Sequence, residues 1–481
     1  MKKHLLIFLP FLLLCQSVHA YEETELSRRS LKEEVVKAVE GKRELLISTS
    51  NAIWEYAEVA FKEHKSSKLL MDTIENQGFQ VKRGISGMPT AFLATYGSGK
   101  PVIGILAEYD ALPGLSQENL PYKKSLVEAG AGHGCGHNLF AAGSLGASLA
   151  LKEVIERNNL TGTIRLYGCP AEEAGGGKLY MARDNLFDDL DVCLAWHPWS
   201  INMAAAESSQ AIDGMEIEFF GKTAHAAADP WKGRSSLDAL EMTTFGINLL
   251  REHIKPSVRL HYVIRNGGEA PNVVPDYANL EIWVRDSTRE GVKTVVERVK
   301  KIAEGAAIAT GTTSKVNNQG GLYELLVNLA GARVMQQNLE MLGSIEYSGE
   351  EIAYSKKIQK EAGVQELGLA GGIQKLREPS REPQGGSTDV ADVSWITPVI
   401  QVITTCTPLG VPGHSWATVT SSRHSIGHKG MLLAAKAMAA TAVDLLLEKK
   451  ILIEIKKEFE ERRHGQIYET GLPAGMKPPV H

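Results

Sequence analysis

Four short apolar runs, in which hydrophobic side chains follow one another without polar alternation, restrict the folds open to this chain. They cover residues 102–107, 163–169, 192–196 and 399–404. Strands that are buried on both faces of a parallel sheet have this pattern. Helical stretches lie beside them, over residues 139–155 and 431–449. The chain is therefore predicted to form an α/β fold, with a mixed, largely parallel sheet and helices on both faces.

A second pattern appears in the middle of the chain, where apolar and charged residues alternate. Residues 215–219 read Met-Glu-Ile-Glu-Phe, and residues 280–285 alternate in a similar way. Such alternation is typical of strands with one face buried and one face in water. The segments follow in the order β-α-β-β-α-β, a compact α+β unit. We therefore predict that residues 213–325 form a small inserted domain, and that residues 21–212 and 326–481 together form the larger one.

The N-terminus has the pattern of an export signal. Two lysines are followed by an eleven-residue apolar run over residues 5–15, and the small-residue pattern at 18–20 fits a cleavage site before Tyr21. A run of this length is too short for a membrane span, which needs about 20 residues to cross a ~30 Å hydrocarbon core. Residues 1–20 are thus predicted to be a signal peptide, and the mature protein to be periplasmic or secreted without a membrane span.

Composition and charge exclude several classes of protein. With 43% hydrophobic residues and no low-complexity tract, a disordered or fibrous chain is excluded. The net charge is −5, and no long run of lysine and arginine offsets it, which argues against nucleic acid as a partner. A small molecule or another protein is the expected partner.

Polar side chains follow each of the four apolar runs. They are Asp110 after the first, Glu172 and Glu173 after the second, His197 after the third, and His414 beyond the fourth. A glycine-rich turn over residues 132–137 adds Cys135 and His137 at the start of a helix. Ligand-binding groups gather beyond the carboxyl ends of strands in such sheets. The sequence therefore predicts a metal site at this edge.

The donor types suit two borderline divalent ions, which accept imidazole, carboxylate and thiolate together. A thiolate has enough lone pairs to bridge both ions. The proposed sets are Cys135, Glu173 and His414 on one ion, and Cys135, His137 and His197 on the other. Two ions roughly 3.5 to 4 Å apart can polarise a carbonyl and lower the pKa of a bridging water.

Glu172 stands beside a ligand and cannot easily bind the same ion in the same way, so it is free to act as the general base.

Each of these assignments has a structural alternative. The two adjacent acids fit a solvated turn, Cys135 fits a small residue packed among glycines, and His197 fits a core histidine. His424 and His428 are rival ligands to His414, and His133 is interpreted as structural.

Five motifs together indicate a family. They are Glu-Tyr-Asp-Ala-Leu-Pro at 108–113, Cys-Gly-His-Asn at 135–138, Pro-Ala-Glu-Glu at 170–173, Gly-Lys-Thr-Ala-His-Ala-Ala at 221–227 and Pro-Asn-Val-Val-Pro-Asp at 271–276. The chain resembles the aminoacylase/carboxypeptidase metallopeptidases over about residues 40–445. Within them it is similar to the amidohydrolase branch, which contains hippurate, indole-acetyl-amino-acid and p-aminobenzoyl-glutamate hydrolases.

The resemblance implies a zinc-exopeptidase-like fold, two manganese or zinc ions, and hydrolysis of an amide that joins an acyl group to an amino acid. A p-aminobenzoyl-glutamate-like substrate is favoured, with a dipeptide or a hippurate-like N-acyl amino acid as the alternative. The inserted domain would be a lid that forms a homodimer, although a related partner subunit also fits. His225 would then reach the partner's site and stabilise the oxyanion, and Asn272 would orient the scissile carbonyl. For both residues a structural role in a loop remains the alternative.

The chain departs from parts of this family. Carboxypeptidase-like members have histidine where Glu108 stands, which makes Glu108 a doubtful ligand and Asp110 a residue that orients a ligand. Asn138 stands where many relatives have aspartate. Arg285 fits either a substrate carboxylate or an exposed strand position, and Asp389 fits either the site or a helix cap. A periplasmic binding protein, whose lobes close over a ligand, is the alternative that is not an enzyme.

Overall fold

The computed structural model describes residues 27–380, 383 and 385–480, so the expected signal peptide lies outside it. The helices are α1 27–40, α2 Arg43–Tyr56, α3 His64–Asn76, α4 His137–Asn158, α5 Gly177–Arg183, α6 Ser236–Leu250, α7 Arg289–Thr310, α8 Leu329–Leu342, α9 Gly349–Glu361, α10 Val390–Ser394, α11 Trp416–Arg423, α12 Ser425–Leu447 and α13 Lys449–Arg463. The strands are β1 Gln80–Arg83, β2 Phe92–Ser98, β3 Val102–Glu108, β4 Gly162–Cys169, β5 Val192–Trp199, β6 Met203–Ala205, β7 Ala211–Phe220, β8 Arg259–Asn266, β9 Tyr277–Asp286, β10 Thr313–Leu322 and β11 Val399–Thr405.

A mixed seven-stranded sheet, in the order β1-β2-β4-β3-β5-β11-β6, forms the centre of the larger part. Its four middle strands, β4, β3, β5 and β11, run parallel and are the four apolar runs of the sequence. The outer strands β1, β2 and β6 are antiparallel to their neighbours. Every residue of β3 is buried, so both faces of the sheet are covered. The predicted α/β class is confirmed.

The helix α4 packs closely on the sheet and positions the glycine-rich turn that precedes it. Gly143 makes the close approach possible, because a Cβ atom there would lie 2.8 Å from the indole of Trp196. α12 packs against α4 and against β11 and β5. α12 is also the one helix among the described residues that is long and apolar enough to cross a membrane. Of its most apolar 18-residue window, 83% is buried inside the structure, as in a core helix.

A second, four-stranded sheet is built from residues 211–322 and has the order β10-β7-β9-β8, with all neighbours antiparallel. Together with α6 and α7 the elements follow the predicted β-α-β-β-α-β order. One face of this sheet packs against the two helices. The apolar residues of the alternating pattern, such as Met215, Ile217 and Phe219, form the core between the sheet and the helices. We call this unit the lid. Polar and aromatic side chains, including Glu281 and Trp283, cover its other face.

The described residues after α13, 464–480, have no regular secondary structure and lie along the surface. They pass the point where β10 leaves the lid, and they end beside α5, where Arg183 donates a hydrogen bond to the carbonyl of Met476 at 2.7 Å. Residues 464–480 are called the C-terminal segment below. The segment thus contacts both the lid connection and the larger sheet.

Candidate active site

The glycine-rich turn before α4 brings two chemically active side chains to the carboxyl edge of the sheet. Gly136 has a φ of 80°, in the left-handed region that favours glycine, and places Cys135 and His137 on either side of the turn. The amide of His414 donates a hydrogen bond of 3.0 Å to the carbonyl of Gly134. A Cβ atom at Gly134 would lie 2.5 Å from Cδ1 of Leu115 and 3.3 Å from Cα of His414, so glycine permits the close approach of the two segments. This contact holds the loop that carries His414 against the glycine-rich turn.

The structure brings the five predicted ligands together in two overlapping groups. Cys135, His137 and His197 form one group, and Cys135, Glu173 and His414 form the other. Within each group the potential ligand atoms lie within 4.8 Å of one another. The Cys135 Sγ to His197 Nε2 distance is 3.3 Å, and the Glu173 Oε2 to His414 Nε2 distance is 3.5 Å. Cys135 belongs to both groups, which is the arrangement that a bridging thiolate requires.

Partners outside these groups set the orientation of the imidazoles and of Glu173. Asp110 Oδ1 lies 2.8 Å from Nδ1 of His137, and its Oδ2 accepts the amide of Glu173 at 2.9 Å. Nδ1 of His197 lies 2.8 Å from the carbonyl of Pro198. With each Nδ1 engaged, the Nε2 atoms of both histidines are directed at the cluster. Asp110 therefore lies where a residue that orients a ligand is expected.

Two properties of the cluster fit divalent cations: the chemistry of its donor atoms, and the absence of hydrogen bonds to two of them. Oε1 of Glu173 and Nε2 of His137 are buried and make no hydrogen bond among the described residues, although Oε2 of Glu108 lies 3.2 Å from the His137 nitrogen. Leaving a buried polar atom unpaired costs about 1 to 3 kcal/mol. Two cations, one at each ligand group, would give both atoms a partner and remove that cost, and a set of thiolate, imidazole and carboxylate donors suits ions such as zinc or manganese.

The pKa values of the site residues also favour a bound cation. Burial raises the pKa of the Cys135 thiol to about 12, and burial lowers the pKa of His197 to about 4. Burial also raises the pKa of Glu173 above its ordinary value. Each shift reflects the cost of a charge that water does not solvate. Positive charge within the cluster would reverse this cost for the thiol and the carboxyl group.

Glu172 lies beside the ligand groups and opens onto a cavity. With Glu108 and His137 it forms a third group of potential ligand atoms within 4.8 Å of one another, although it belongs to neither of the two predicted sets. It lines a cavity of about 450 Å³ between the larger sheet and the lid, on whose opposite side lie Trp283 and Arg285. Burial, with a smaller effect of the Glu108 carboxylate, raises the pKa of Glu172 well above its ordinary value. A carboxyl group that gains protons readily is suited to accept one during a reaction.

A buried carboxylate, Glu63, fastens the turn that carries Glu172. Ala171, just before it, has a φ of 61°, which is strained for a residue with a side chain. Oε1 of Glu63 accepts the amides of Ala171 and Phe61, each at 2.9 Å, and Oε2 accepts the hydroxyl of Thr90 at 3.0 Å. Glu63 was not predicted from the sequence. It stands in a polar stretch far from every motif, so nothing in the sequence indicates its burial.

A fully buried lysine, Lys178, was also missed. Its Nζ lies 2.6 Å from Oε1 of Glu108 and 2.6 Å from Oδ1 of Asp389, and its amide donates to Oδ2 of Asp389 at 3.0 Å. Glu108 thus pairs with a cation, while its other oxygen lies 3.2 Å from Nε2 of His137. Asp389 makes no side-chain capping bond to α10. The signal that could have indicated Lys178 is its place directly after three glycines that follow the Glu172 turn.

The rival histidines have other partners. The ring of His424 stacks on Tyr354 with 4.1 Å between centroids, and Nε2 of His428 lies 3.0 Å from Oδ1 of Asn51. Nε2 of His133 lies 3.0 Å from the carbonyl of Ile53. Within residues 27–380, 383 and 385–480, none of the three belongs to a group of potential metal ligands.

Asn138 ties elements together beneath the site instead of binding at it. Its amide nitrogen donates to the hydroxyl of Ser50 at 2.9 Å and to the carbonyl of Ser422 at 3.1 Å. It thereby joins α4 to α2 and to the end of α11. The amide at this position therefore has a structural explanation.

His225 and Asn272 lie together on the lid, apart from the ligand groups. His225 is exposed and pairs as an antiparallel bridge with Val273, and the carbonyl of Asn272 accepts the amide of Ala226 at 3.0 Å. Nδ1 of His225 accepts the amide of Ala228 at 3.1 Å, which leaves Nε2 directed away from its own backbone. In the part of the chain that the structure describes, neither residue hydrogen-bonds to a member of the ligand groups.

Comparison with known proteins identifies the family of the chain. Residues 104–418 match the model of peptidase family M20/M25/M40. A p-aminobenzoyl-glutamate hydrolase subunit of Escherichia coli is 38% identical over 92% of this chain and 97% of its own. The Xaa-Arg dipeptidase of Mus musculus is 29% identical over 91% and 93%.

Two solved structures share the fold. A dinuclear metal binding peptidase from the M20 family of Bacillus subtilis has a TM-score of 0.58 at 21% identity, covering 85% of this chain and 99% of its own. An aminobenzoyl-glutamate utilization protein from Klebsiella pneumoniae has a TM-score of 0.58 at 16% identity, covering 85% and 98%. Since the family model spans more than half of the sequence, the chain belongs to peptidase family M20/M25/M40 and is a hydrolase of amide bonds.

Proposed function

We propose that the protein is a dinuclear metal-dependent amidohydrolase that cleaves an acyl group from an amino acid, with p-aminobenzoyl-glutamate-like compounds as substrates. The observation that carries this proposal is the position of Glu172, an acid outside both proposed ligand sets, at the wall of a cavity that also holds an arginine. The 38% identical relative is a subunit of a p-aminobenzoyl-glutamate hydrolase, which supports the choice of substrate.

Two divalent ions, manganese or zinc, would be held by Cys135, Glu173 and His414 and by Cys135, His137 and His197. When bound, they supply Lewis acidity that polarises the amide carbonyl and activates water at neutral pH.

Glu172 then acts as general base and general acid. It takes a proton from the attacking water as the new carbon–oxygen bond forms, and it delivers that proton to the amide nitrogen as the carbon–nitrogen bond breaks. Burial, which raises its pKa, makes the carboxyl group a stronger base than a solvated glutamate. The carboxylic acid and the amine leave as the two products.

Arg285 is suited to bind the carboxylate of the substrate's amino acid. Its guanidinium is half-buried on the lid side of the cavity and donates a hydrogen bond of 2.9 Å to the hydroxyl of Ser387, a neutral group. It also lies 5.6 Å from the ring centre of Trp283. Burial lowers its pKa from the ordinary value, so an anion that neutralises the charge would bind favourably.

There are two alternatives to this function. The first uses the same chemistry on another substrate, and the second involves no reaction. A dipeptide or a hippurate-like substrate would use the same ligands and the same base, and Xaa-Arg dipeptidase and hippurate hydrolase are among the relatives. A periplasmic binding protein would close its two parts over a ligand without reaction. Glu172 argues against this alternative, because a carrier needs no proton acceptor next to its metal ligands.

The lid surface supports a homodimer. Three apolar side chains on one side of α6 are exposed: Met242 at 46%, Phe245 at 65% and Leu249 at 57%. The neighbouring strand β8 is an edge strand and exposes Val263 and Ile264. Unpaired edges and apolar patches of this kind are normally covered in stable proteins. We infer that a second copy covers them and that His225 then reaches the partner's site to stabilise the oxyanion. A related partner subunit is the alternative.

Replacing Glu172 and Glu173 separately should distinguish the base from the ligand. Glu172→Ala should leave metal content near two ions per chain and lower kcat by about 10² or more, because proton transfer is lost. Glu173→Ala should lower metal content itself. Elemental analysis and steady-state kinetics on the same preparations check both results. Retained turnover in Glu172→Ala would remove this residue from the base role.

A panel of p-aminobenzoyl-glutamate, hippurate and simple dipeptides tests the substrate. We expect the highest kcat/KM for p-aminobenzoyl-glutamate. Arg285→Met should raise KM for it by about tenfold or more, because a charged hydrogen bond of about 1.5 to 3 kcal/mol is lost. An amide analogue without the carboxylate should be hydrolysed poorly by both proteins. Equal KM values for the variant and the original chain would contradict the role of Arg285, and tight binding without hydrolysis of any compound would favour the binding protein.

A complementation experiment tests the shared site. Glu172→Ala and His225→Ala should each be nearly inactive alone. After mixing and exchange of subunits, about a quarter of the original activity should return, because half of the dimers are hybrids and each hybrid has one complete site. Light scattering should show a dimer throughout. A monomer, or no recovery despite proven exchange, would contradict the proposal.

Export is the remaining part of the proposal. A bacterial host that produces the full chain should yield a periplasmic or secreted protein whose N-terminal sequence starts at Tyr21, because the basic and apolar segments before it form an export signal. Recovery of the chain with Met1 in the cytoplasmic fraction would contradict export.

A further inference from the structure

The C-terminal segment is held at the point where the lid joins the larger sheet. The hydroxyl of Tyr468 donates to Oδ1 of Asp392 at 2.9 Å, and its ring lies 5.2 Å from that of Tyr323. The amide of Glu469 donates to the hydroxyl of Tyr323 at 3.4 Å. Tyr323 directly follows β10, the last strand of the lid. The segment is therefore anchored on the connection between the two parts.

Beyond this anchor the backbone packs directly on the lid strand. Gly471 lies against Gly321, and a Cβ atom at Gly471 would be only 2.0 Å from the carbonyl oxygen of Gly321. The next residue, Leu472, is 8% exposed, and its Cδ2 atom lies 3.7 Å from where a Cβ atom at Gly320 would stand. The far end is fixed by the bond between Arg183 and the carbonyl of Met476. Contacts on both sides thus hold Leu472 in one place.

Leu472 lines the same cavity as the proposed base. The apolar side chains around this cavity are Leu179, Ile212, Trp283, Leu322 and Leu472. The first four come from the larger sheet region and the lid, whereas Leu472 comes from the end of the chain. The polar groups of the cavity include Glu172, Glu173 and Arg285. A substrate that fills this cavity would meet both Arg285 and this apolar wall.

We propose that the C-terminal segment is a strap that completes the substrate cavity, and that Leu472 is a specificity-determining residue for amides with an aromatic or other bulky apolar group. The inference rests on the proposed function, because it assigns a selective wall to the cavity in which Glu172 acts. A small acyl group does not reach the wall and gains nothing from it. Contact between an apolar group and a leucine side chain favours the larger substrate in proportion to the area buried.

The test compares two substrates that share glutamate and differ in the acyl group, p-aminobenzoyl-glutamate and N-acetyl-glutamate. The full chain, loaded with manganese or zinc, is assayed beside three variants. Leu472→Ala shortens the wall, Gly471→Ala displaces the strap through the clash with Gly321, and Ile467→Ala is the control. Ile467 lies in the same segment but is 82% exposed.

In Leu472→Ala and Gly471→Ala, kcat/KM for p-aminobenzoyl-glutamate should fall by about tenfold or more, mostly through KM. For N-acetyl-glutamate it should change less than twofold, and metal content should stay the same. Ile467→Ala should match the original chain. Should Gly471→Ala unfold, the Leu472→Ala variant, which adds no atoms, still decides the matter.

An equal loss for both substrates, or no loss for either, would overturn the role of Leu472 while the original chain remains an active hydrolase. Hydrolysis of neither substrate by the original chain would instead contradict the proposed function, and this inference with it. The two failures are therefore distinguishable in one experiment.

Discussion

The carboxylate of Asp110 is the contact on which the geometry of the site depends. Its two oxygens bind groups that come from different parts of the chain, the Nδ1 of His137 at the start of α4 and the amide of Glu173 after β4. One rigid group therefore sets the spacing between ligands of both proposed ions. Asp110 follows β3, which pairs directly with β4, so it stands next to the turn that carries Glu173. A flexible or shorter partner would not fix both at once.

A buried ammonium group balances the negative charge beneath this contact. Lys178 is fully buried and pairs with Glu108 and Asp389, so these two carboxylates do not stand uncompensated next to Glu172. Isolated buried charges are costly, and removal of one partner of such a network costs several kcal/mol in other proteins. One oxygen of Glu108 is engaged by this lysine, while the other lies 3.2 Å from Nε2 of His137.

Much of the fold and of the ligand cluster could be predicted from the sequence, for a physical reason. Strands buried on both faces must be continuously apolar, which makes β3, β4, β5 and β11 visible, and parallel strands must bring their carboxyl ends to one edge. The outer strands β1 and β6 have four and three residues and leave too little pattern to recognise. Glu63 could not be predicted, because a charged residue in a polar stretch normally lies in water, and for Lys178 the sequence offers no signal beyond the three glycines that precede it. Only tertiary contacts reveal their burial.

The segment from Ser387 to Asp392 links the parts of the site that the sequence leaves apart. Ser387 accepts a hydrogen bond from Arg285 of the lid and donates one to the carbonyl of Gln210. Asp389 holds Lys178, and Asp392 holds Tyr468 of the C-terminal segment. These six residues thus connect Arg285, which lines the cavity, Lys178, which lies beneath Glu172, and Tyr468 in the C-terminal segment. Substitutions at Ser387, Asp389 and Asp392 should therefore have non-additive effects, because the groups that they hold share one short segment.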